Sequence, residues 1–379
     1  MIEPIQYDIT VIGGGLAGLA ISIQLANKGF SVALFEKEQY PFHKVCGEYI
    51  SMESWAFIES LGLPLTDMNL PRINKLLVSA PNGNTLQHVL PLGGFGISRF
   101  TIDNELKNIA IKAGVKLYEN TRVEEVVFDG NIFYLQVKNT KVTSKVCTGS
   151  FGKRSNLDIK WKRQFLKSSN RKLNNYIGVK YHIETDVAPD TIALHNFKDG
   201  YCGISKIEKN CYCLCYLTSA ANLKDNNNSI EEMEKNVLYK NKYLKNIFES
   251  STKLYKTPLA ISQISFDKKS QVHDHVLLCG DAAGLITPLC GNGMSMALHS
   301  SKIAAALIND FLLYKIDRVQ MENNYQKEWQ QLFAKRLSAG RFIQQLFGKV
   351  WATNVFIGTM KMLPNLTDKL IRQTHGEPF

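Results

Sequence analysis

Two groups of residues in this 379-residue chain have types and spacing suited to chemistry. The first is Gly13, Gly15 and Gly18, a G-x-G-x-x-G in "VIGGGLAGLA", with Glu36 at the end of "SVALFE". The second is "LLCGDAAGLITPLCGNGMSMAL". Here Asp281 closes an apolar run, and Gly291, Asn292, Gly293 and Met294 open a helical pattern. Glycines let a phosphate approach the backbone, and a helix N-terminus meets it with free N–H groups. An acid ending the next strand suits a ribose diol. An acid and a second helix start, far along the chain, suit the other end of a long ligand.

These groups need strands and helices to hold them. Ile9 to Ile12 is a short β-branched run, the signal of a buried strand. Leu19, Ile23 and Leu25 follow at helical spacing, and "SVALFE" reads as a second strand. In such a unit Gly13 permits the tight turn, Gly15 admits a pyrophosphate, and Gly18 lets helix pack on strand. The strand, helix, second strand and terminal acid together predict dinucleotide binding. No second G-x-G-x-x-G follows a strand, so one dinucleotide is expected, and FAD competes with NAD(P). FAD needs a distant partner for its ribityl chain and ring. Asp281 suits a ribityl hydroxyl, and the helix start at Gly291 to Met294 suits the N1–C2=O edge, which carries the charge of reduced flavin. FAD is the expected cofactor.

Two more stretches, "KVCGEYIS" at 44–51 and "SRFTIDNEL" at 98–106, stand in order between these groups. With them the chain resembles the FAD-dependent oxidoreductases of the para-hydroxybenzoate hydroxylase fold, in the branch of geranylgeranyl reductases and related monooxygenases. The resemblance implies that Arg99 lies near flavin and pyrophosphate, with Asp103 as the acid of an R-x-x-x-D pattern. It implies that Val123 lines the adenine. The cofactor set so implied is Gly13, Gly14, Gly15, Leu16, Ala17, Gly18, Glu36, Lys37, Cys46, Gly47, Arg99, Val123, Gly280, Asp281, Pro288, Gly291, Asn292, Gly293 and Met294. Cys46, Glu48 and Tyr49, in the flavin-proximal loop, are the candidate catalytic residues. No metal is expected. In aromatic hydroxylases the segment matching "CTGSFGKRS" reads Asp-Gly, and that Asp is linked to FAD and NAD(P)H binding; this chain lacks it. The electron donor is therefore either NAD(P)H or another reductant, such as a ferredoxin or flavodoxin.

The middle of the chain changes character. "YIGVKYHIE", "TIALHNF", "YCGISKI" and "CYCLCYLTS" alternate as antiparallel strands do, and a polar loop and an amphipathic helix follow. The expected architecture is α/β: a Rossmann-like FAD domain from 1–157 and 266–315, an inserted antiparallel substrate sheet over 158–265, and C-terminal helices over 316–379. Apolar residues at 342, 343, 346, 347, 350 and 351 form a wide helical stripe, suited to core packing or to peripheral membrane docking. The W-x-W-x-I-P motif of flavin halogenases does not occur, which argues against halogenation, and neither does the Y-x-W-x-F-P segment usual in geranylgeranyl reductases.

Composition is ordinary for a globular chain, with 45% hydrophobic and 21% charged residues. No apolar run is long enough to span a bilayer and no signal peptide is visible, so the expectation is a cytoplasmic protein, either free or peripheral to the membrane. Eight cysteines without a CxxC pair suggest neither a zinc site nor a dithiol; Cys211, Cys213 and Cys215 should share one face of a strand. The net charge of +11 is concentrated between Lys138 and Lys180, which holds twelve Lys or Arg and one acid, Asp158. With no nucleic-acid motif present, this stretch is either a solvated face or a dock for an acidic carrier protein or an anionic membrane surface. The function expected first is hydroxylation of a hydrophobic or aromatic small molecule. Second is C=C reduction or desaturation of a lipid or polyketide-like substrate, and third a non-redox prenyl-binding protein.

Overall fold

The computed structural model describes residues 5–138, 140–167, 175–285, 291–347, 349–363, 365, 367, 370–371 and 376–379. Pro288 and Cys290 lie outside the described residues. Two sheets carry the structure. In the first, Ile5–Ile12 is central. It pairs in parallel with Val32–Phe35 on one side and Thr140–Gly149 on the other. Val276–Leu278 extends the sheet in parallel beyond Thr140–Gly149, and Lys116–Tyr118 extends it beyond Val32–Phe35. A meander, Val123–Asp129 and Ile132–Val137, attaches to Thr140–Gly149. Parallel strands are covered on both faces, which is why their sequences read as unbroken apolar runs. Ile9, Val11, Leu34, Leu277 and Leu278 are all fully buried.

The helix Leu16–Ala26 follows the first strand and packs against the helix Gly293–Leu312. This contact brings the two chemical segments of the sequence together, although about 270 residues separate them. Parallel pairing of Val276–Leu278 two strands away ends Asp281 on the same side of the sheet as the Gly13 turn, at the carboxyl ends of the strands where ligands of open α/β sheets sit.

The second sheet contains the four predicted middle strands, Tyr176–Glu184, Thr191–Phe197, Gly200–Lys206 and Tyr212–Ser219; the last three pair antiparallel in succession, and Tyr176–Glu184 pairs antiparallel with Tyr212–Ser219. It is not confined to 158–265, however. Tyr49–Ser51, Arg72–Ser79 and Thr85–Gly96 join it at one side, Thr252–Lys253 and Leu259–Ile264 pair with Tyr176–Glu184 at the other, and Arg72–Ser79 pairs in parallel with Thr191–Phe197, so the sheet is mixed. The polar segment after Ser219 forms three short helices, Ala220–Lys224, Ile230–Asn236 and Lys242–Ser250, where one was expected. Met233, Leu238, Leu244 and Ile247 from this region pack on the sheet's Val179, Tyr181 and Tyr216. The C-terminal part is helical as expected, with Arg318–Phe347 followed by Val350–Met362. Among the described residues no helix is long and apolar enough to cross a membrane.

Candidate functional site

A cavity of about 1230 Å³ runs between the two sheets. Its walls include Gly13, Glu36, Val123, Arg99, Tyr49, Asp281, Gly291 and Met294, so the structure joins both ends of the expected cofactor set in one space. Gly14, Gly18 and Asn292 are not wall residues; they stand behind it. A Cβ on Gly18 would collide with the carbonyl oxygen of Gly13, and Gly13 itself has φ +100°. The helix that begins after Gly15 has no side-chain cap, which leaves its first N–H groups for a ligand.

Cations gather at the same point. A Cβ on Gly15 would lie 3.5 Å from the Arg99 guanidinium and 3.8 Å from the Lys44 ammonium. Both are held by Asp103: Arg99 Nε and NH2 donate to its two oxygens at 2.9 and 2.8 Å, and Lys44 Nζ donates at 2.9 Å. Burial alone would raise the Asp103 carboxyl, but Arg99 and then Lys44 outweigh it and hold it below its ordinary value. Two positive groups share one negative group, and the excess charge faces the glycine turn. Ser150 Oγ and Lys153 Nζ are buried at this cavity without hydrogen-bond partners among the described residues. Burial pushes the Lys153 ammonium down to about 8, against the pull of Asp281. Buried donors with nothing to bind, beside unpaired helix N–H groups, fit a pyrophosphate. The residues present therefore fit FAD.

Glu36 ends its strand as predicted and lies in the cavity wall, where its carboxylate accepts from Gly14 N at 2.8 Å and Glu38 N at 3.1 Å. These bonds fix the orientation of its carboxylate. Asp281 lines the opposite end; burial raises its carboxyl, while Lys269, Arg99 and Lys153 pull the other way. Lys37, Val123, Leu16, Ala17, Cys46, Gly47, Gly280 and Gly293 also line the cavity.

The three candidate catalytic residues have different surroundings. Glu48 is fully buried, at φ 54°, and its carboxylate is taken up by protein: Oε1 accepts from Arg99 N at 2.8 Å and from Lys180 Nζ, and Oε2 pairs with His182 Nε2 at 2.6 Å. Burial raises this carboxyl, but His182 and Lys180 outweigh it and hold it below its ordinary value. Glu48 thus clamps the 44–48 loop onto the Tyr176–Glu184 strand. Its Oε2 and the nearby His182 and Cys213 place three ligand-type atoms within 4.8 Å of one another. Lys180 already supplies the positive charge that a metal ion would bring there. Cys46 is a neutral thiol: burial pushes it up, with Arg99 pulling it down. Tyr49 is different again. Its hydroxyl is buried and has no hydrogen-bond partner among the described residues, and burial and then Glu53 raise it well above its ordinary value. Its ring lines the cavity, while the hydroxyl itself is buried in the protein.

Sequence reading missed Lys44, Ser150, Lys153, Lys180 and His182. A signal existed for the last two. In "VKYHIE" a Lys and a His occupy alternate positions of an apolar strand, which places two polar groups on one face of a buried element. The basic stretch needs correction as well. Arg163 is buried against Asp158 at 2.7 Å and Lys180 against Glu48, so neither belongs to a docking surface.

Beyond Tyr49 the cavity turns apolar, with Ile192, Leu194, Leu217, Ile261, Ile264 and Leu285 in its wall. A smaller cavity of about 100 Å³ shares Tyr49, Ile192, Leu194 and Gly291 with it. This extension reaches Ile343, Phe347, Phe356 and Met360 of the C-terminal helices.

Residues 11–45 match the family model described as an NAD(P)-binding Rossmann-like domain. Among curated proteins, the chain is 25% identical to conditioned medium factor receptor 1 of Dictyostelium discoideum, over 88% of this chain and 69% of that one. It is 24% identical to a 1H-pyrrole-2-carbonyl-[peptidyl-carrier protein] brominase of Pseudoalteromonas luteoviolacea (98% and 92%). It is 23% identical to a digeranylgeranylglycerophospholipid reductase of Methanococcus vannielii (88% and 84%). Among solved structures, a flavin-dependent brominase superposes with a TM-score of 0.79 at 22% identity, covering 97% of this chain and 93% of that one. A halogenase in complex with phloroglucinol and FAD gives 0.76 at 15% identity, covering 97% and 85%.

Proposed function

We propose that this chain, an FAD-dependent oxidoreductase of the para-hydroxybenzoate hydroxylase-like fold, reduces a C=C bond in an extended apolar substrate. The observation that carries the reading is the apolar extension past Tyr49, which continues between the second sheet and the C-terminal helices. A compact phenol leaves that space unfilled, whereas a chain-like substrate fills it. Hydroxylation, the first expectation from sequence, becomes the second reading; the similarity to a brominase across nearly both whole chains favours it.

When bound, FAD supplies two-electron chemistry, a hydride in the reductive reading. The protein's own residues do the rest. Arg99, Lys44 and the uncapped helix would hold the pyrophosphate, Glu36 the ribose and Asp281 the ribityl chain. The apolar walls exclude water from the substrate. In this reading Tyr49, whose ring lines the cavity and whose hydroxyl is neutral, gives the proton to the second carbon of the double bond. Its raised value keeps that proton in place until substrate arrives.

The test is anaerobic. Enzyme reduced by dithionite is mixed with a polyprenyl lipid, and flavin absorbance and product mass are followed. Flavin reoxidation without oxygen, and a product heavier by two hydrogens, are expected. A product formed only in air, heavier by one oxygen, establishes hydroxylation instead. Tyr49→Phe should slow the reductive step about 10²- to 10⁴-fold, as loss of a general acid does, with FAD content unchanged.

A further inference from the structure

The predicted stripe near the C-terminus divides in the structure. Ile343 and Phe347, with Ile357 of the Val350–Met362 helix, turn inward to a core cluster under the second sheet. Phe342, Val350, Trp351, Val355, Met362 and Leu363 are exposed, with Trp351 at 70%, Val355 at 61% and Met362 at 80%. Trp351, Val355 and Met362 recur at helical spacing, so they form one row. A helix that is apolar on both faces is one that is covered on both faces. The inner face is covered by protein; the outer row faces solvent.

Charge identifies what covers it. From Trp329 to Leu363 the chain carries Lys335, Arg336, Arg341, Lys349 and Lys361 and no acid. Lys349 and Lys361 flank the row at its two ends, and both are exposed. An apolar row with aromatic and aliphatic residues, bordered by lysines, has the composition of a helix lying in the headgroup plane of an anionic bilayer. A second copy of this chain is a poor cover, because a two-fold contact through this row would set lysines against lysines with no acid from this segment to pair them.

The opposite face adds a second observation. Phe356 and Met360 of the same helix line the smaller apolar cavity, which meets the main cavity at Tyr49 and Gly291. One helix thus has an exposed apolar face outside and the end of the apolar extension inside.

We propose that the row Trp351, Val355 and Met362, with Lys349 and Lys361, docks the protein on an anionic lipid surface. It places the end of the apolar extension against the bilayer, so that a lipid-borne substrate enters without crossing water. The docking stands on the exposed row and its charge alone; the delivery rests on the reading of the substrate given above.

The test uses the purified, FAD-loaded full chain. Wild type should co-float with phosphatidylglycerol–phosphatidylcholine vesicles, weakly with phosphatidylcholine alone, and less as salt rises, since charge attraction is screened within about 8 to 10 Å. Its tryptophan emission should shift to the blue on binding. The W351S/V355S/M362S variant should lose about tenfold or more of the binding while keeping its flavin spectrum. Single W351S keeps the result readable if the triple variant does not fold. K349E/K361E should erase the preference for anionic vesicles. Absence of wild-type binding to either vesicle overturns the proposal, as does equal binding by the row variants. Self-association through the row, or capture of an acidic carrier protein in place of vesicles, also overturns it. All readouts are independent of turnover, so failure of the C=C assignment leaves the docking result interpretable.

Discussion

The nucleotide end of the cavity and its substrate end are built from different material. At the nucleotide end the chain meets its ligand with backbone: a glycine turn, an uncapped helix and strand carboxyl ends. Charge there comes from three side chains sharing one network, Arg99, Lys44 and Asp103. At the substrate end the walls are side chains from strands and helices far apart in sequence, and the one free polar group among those discussed is the Tyr49 hydroxyl. Backbone contacts are written in short local motifs because only certain residues leave the backbone open. Side-chain walls are written in topology, and many sequences satisfy them. The first end suits a class of cofactor; the second sets the room for a substrate.

The sharpest way to break this comparison is at Gly18. A side chain there meets the backbone oxygen of Gly13, which has no room to yield. Gly18→Val should abolish FAD retention through purification, while an equally large change at the substrate wall, Leu194→Ala, should leave FAD bound and change only substrate affinity. Retention of FAD by Gly18→Val would remove the case for a backbone-encoded cradle. The prediction is read from the 450 nm band of the purified proteins.

A second change probes the joint between the ends. Glu48→Gln leaves Lys180 buried with a neutral partner. Breaking a buried pair from one side costs about 3–5 kcal/mol, read as a fall in the urea midpoint. Glu48→Gln with Lys180→Met should recover much of that loss, since removing both charges spares their burial. If the single change costs less than about 1 kcal/mol, the clamp is not what holds the 44–48 loop on the second sheet.

The same contrast explains what was legible beforehand. The Gly13–Gly18 turn, Glu36, Asp281 and the four middle strands could be read because each is a local pattern. Arg99 and Asp103 were readable only through resemblance. The Glu48–Lys180–His182 cluster was not, because 132 positions separate Glu48 from Lys180 and no periodicity links them. The parallel pairing of Arg72–Ser79 with Thr191–Phe197 was hidden for the same reason, since a crossover of that length leaves no trace in either strand. The C-terminal stripe was visible as apolar, but which of its residues turn inward depends on the cavity they line.

The smallest predicted effect sharpens the nucleotide end alone. Lys153 lines the cavity; its Nζ is buried, has no hydrogen-bond partner among the described residues, and is pushed down to about 8 by burial. Lys269, which donates to the backbone oxygens of Lys153 and Asp281, is pushed down to about 8 for the same reason. Before cofactor binds, these ammonium groups lose their protons as pH rises through that value. A pyrophosphate favours the charged form, so above about 8 binding must take up a proton, and affinity falls with pH. Below about 8 the groups are already charged and affinity is flat. Titration of apoprotein with FAD at pH 7.0 and 9.0 should show a several-fold weaker Kd at the higher pH, within the limit of tenfold per unit that one proton allows. Stability of the apoprotein should move the opposite way. A lysine depressed by folding binds fewer protons folded than unfolded, so stability rises between about 8 and the ordinary lysine range. Lys153→Met should weaken FAD binding at pH 7.0 and flatten its fall toward pH 9.0. An unchanged slope in that variant would assign the titration to Lys269 and leave Lys153 without a part in holding the phosphates.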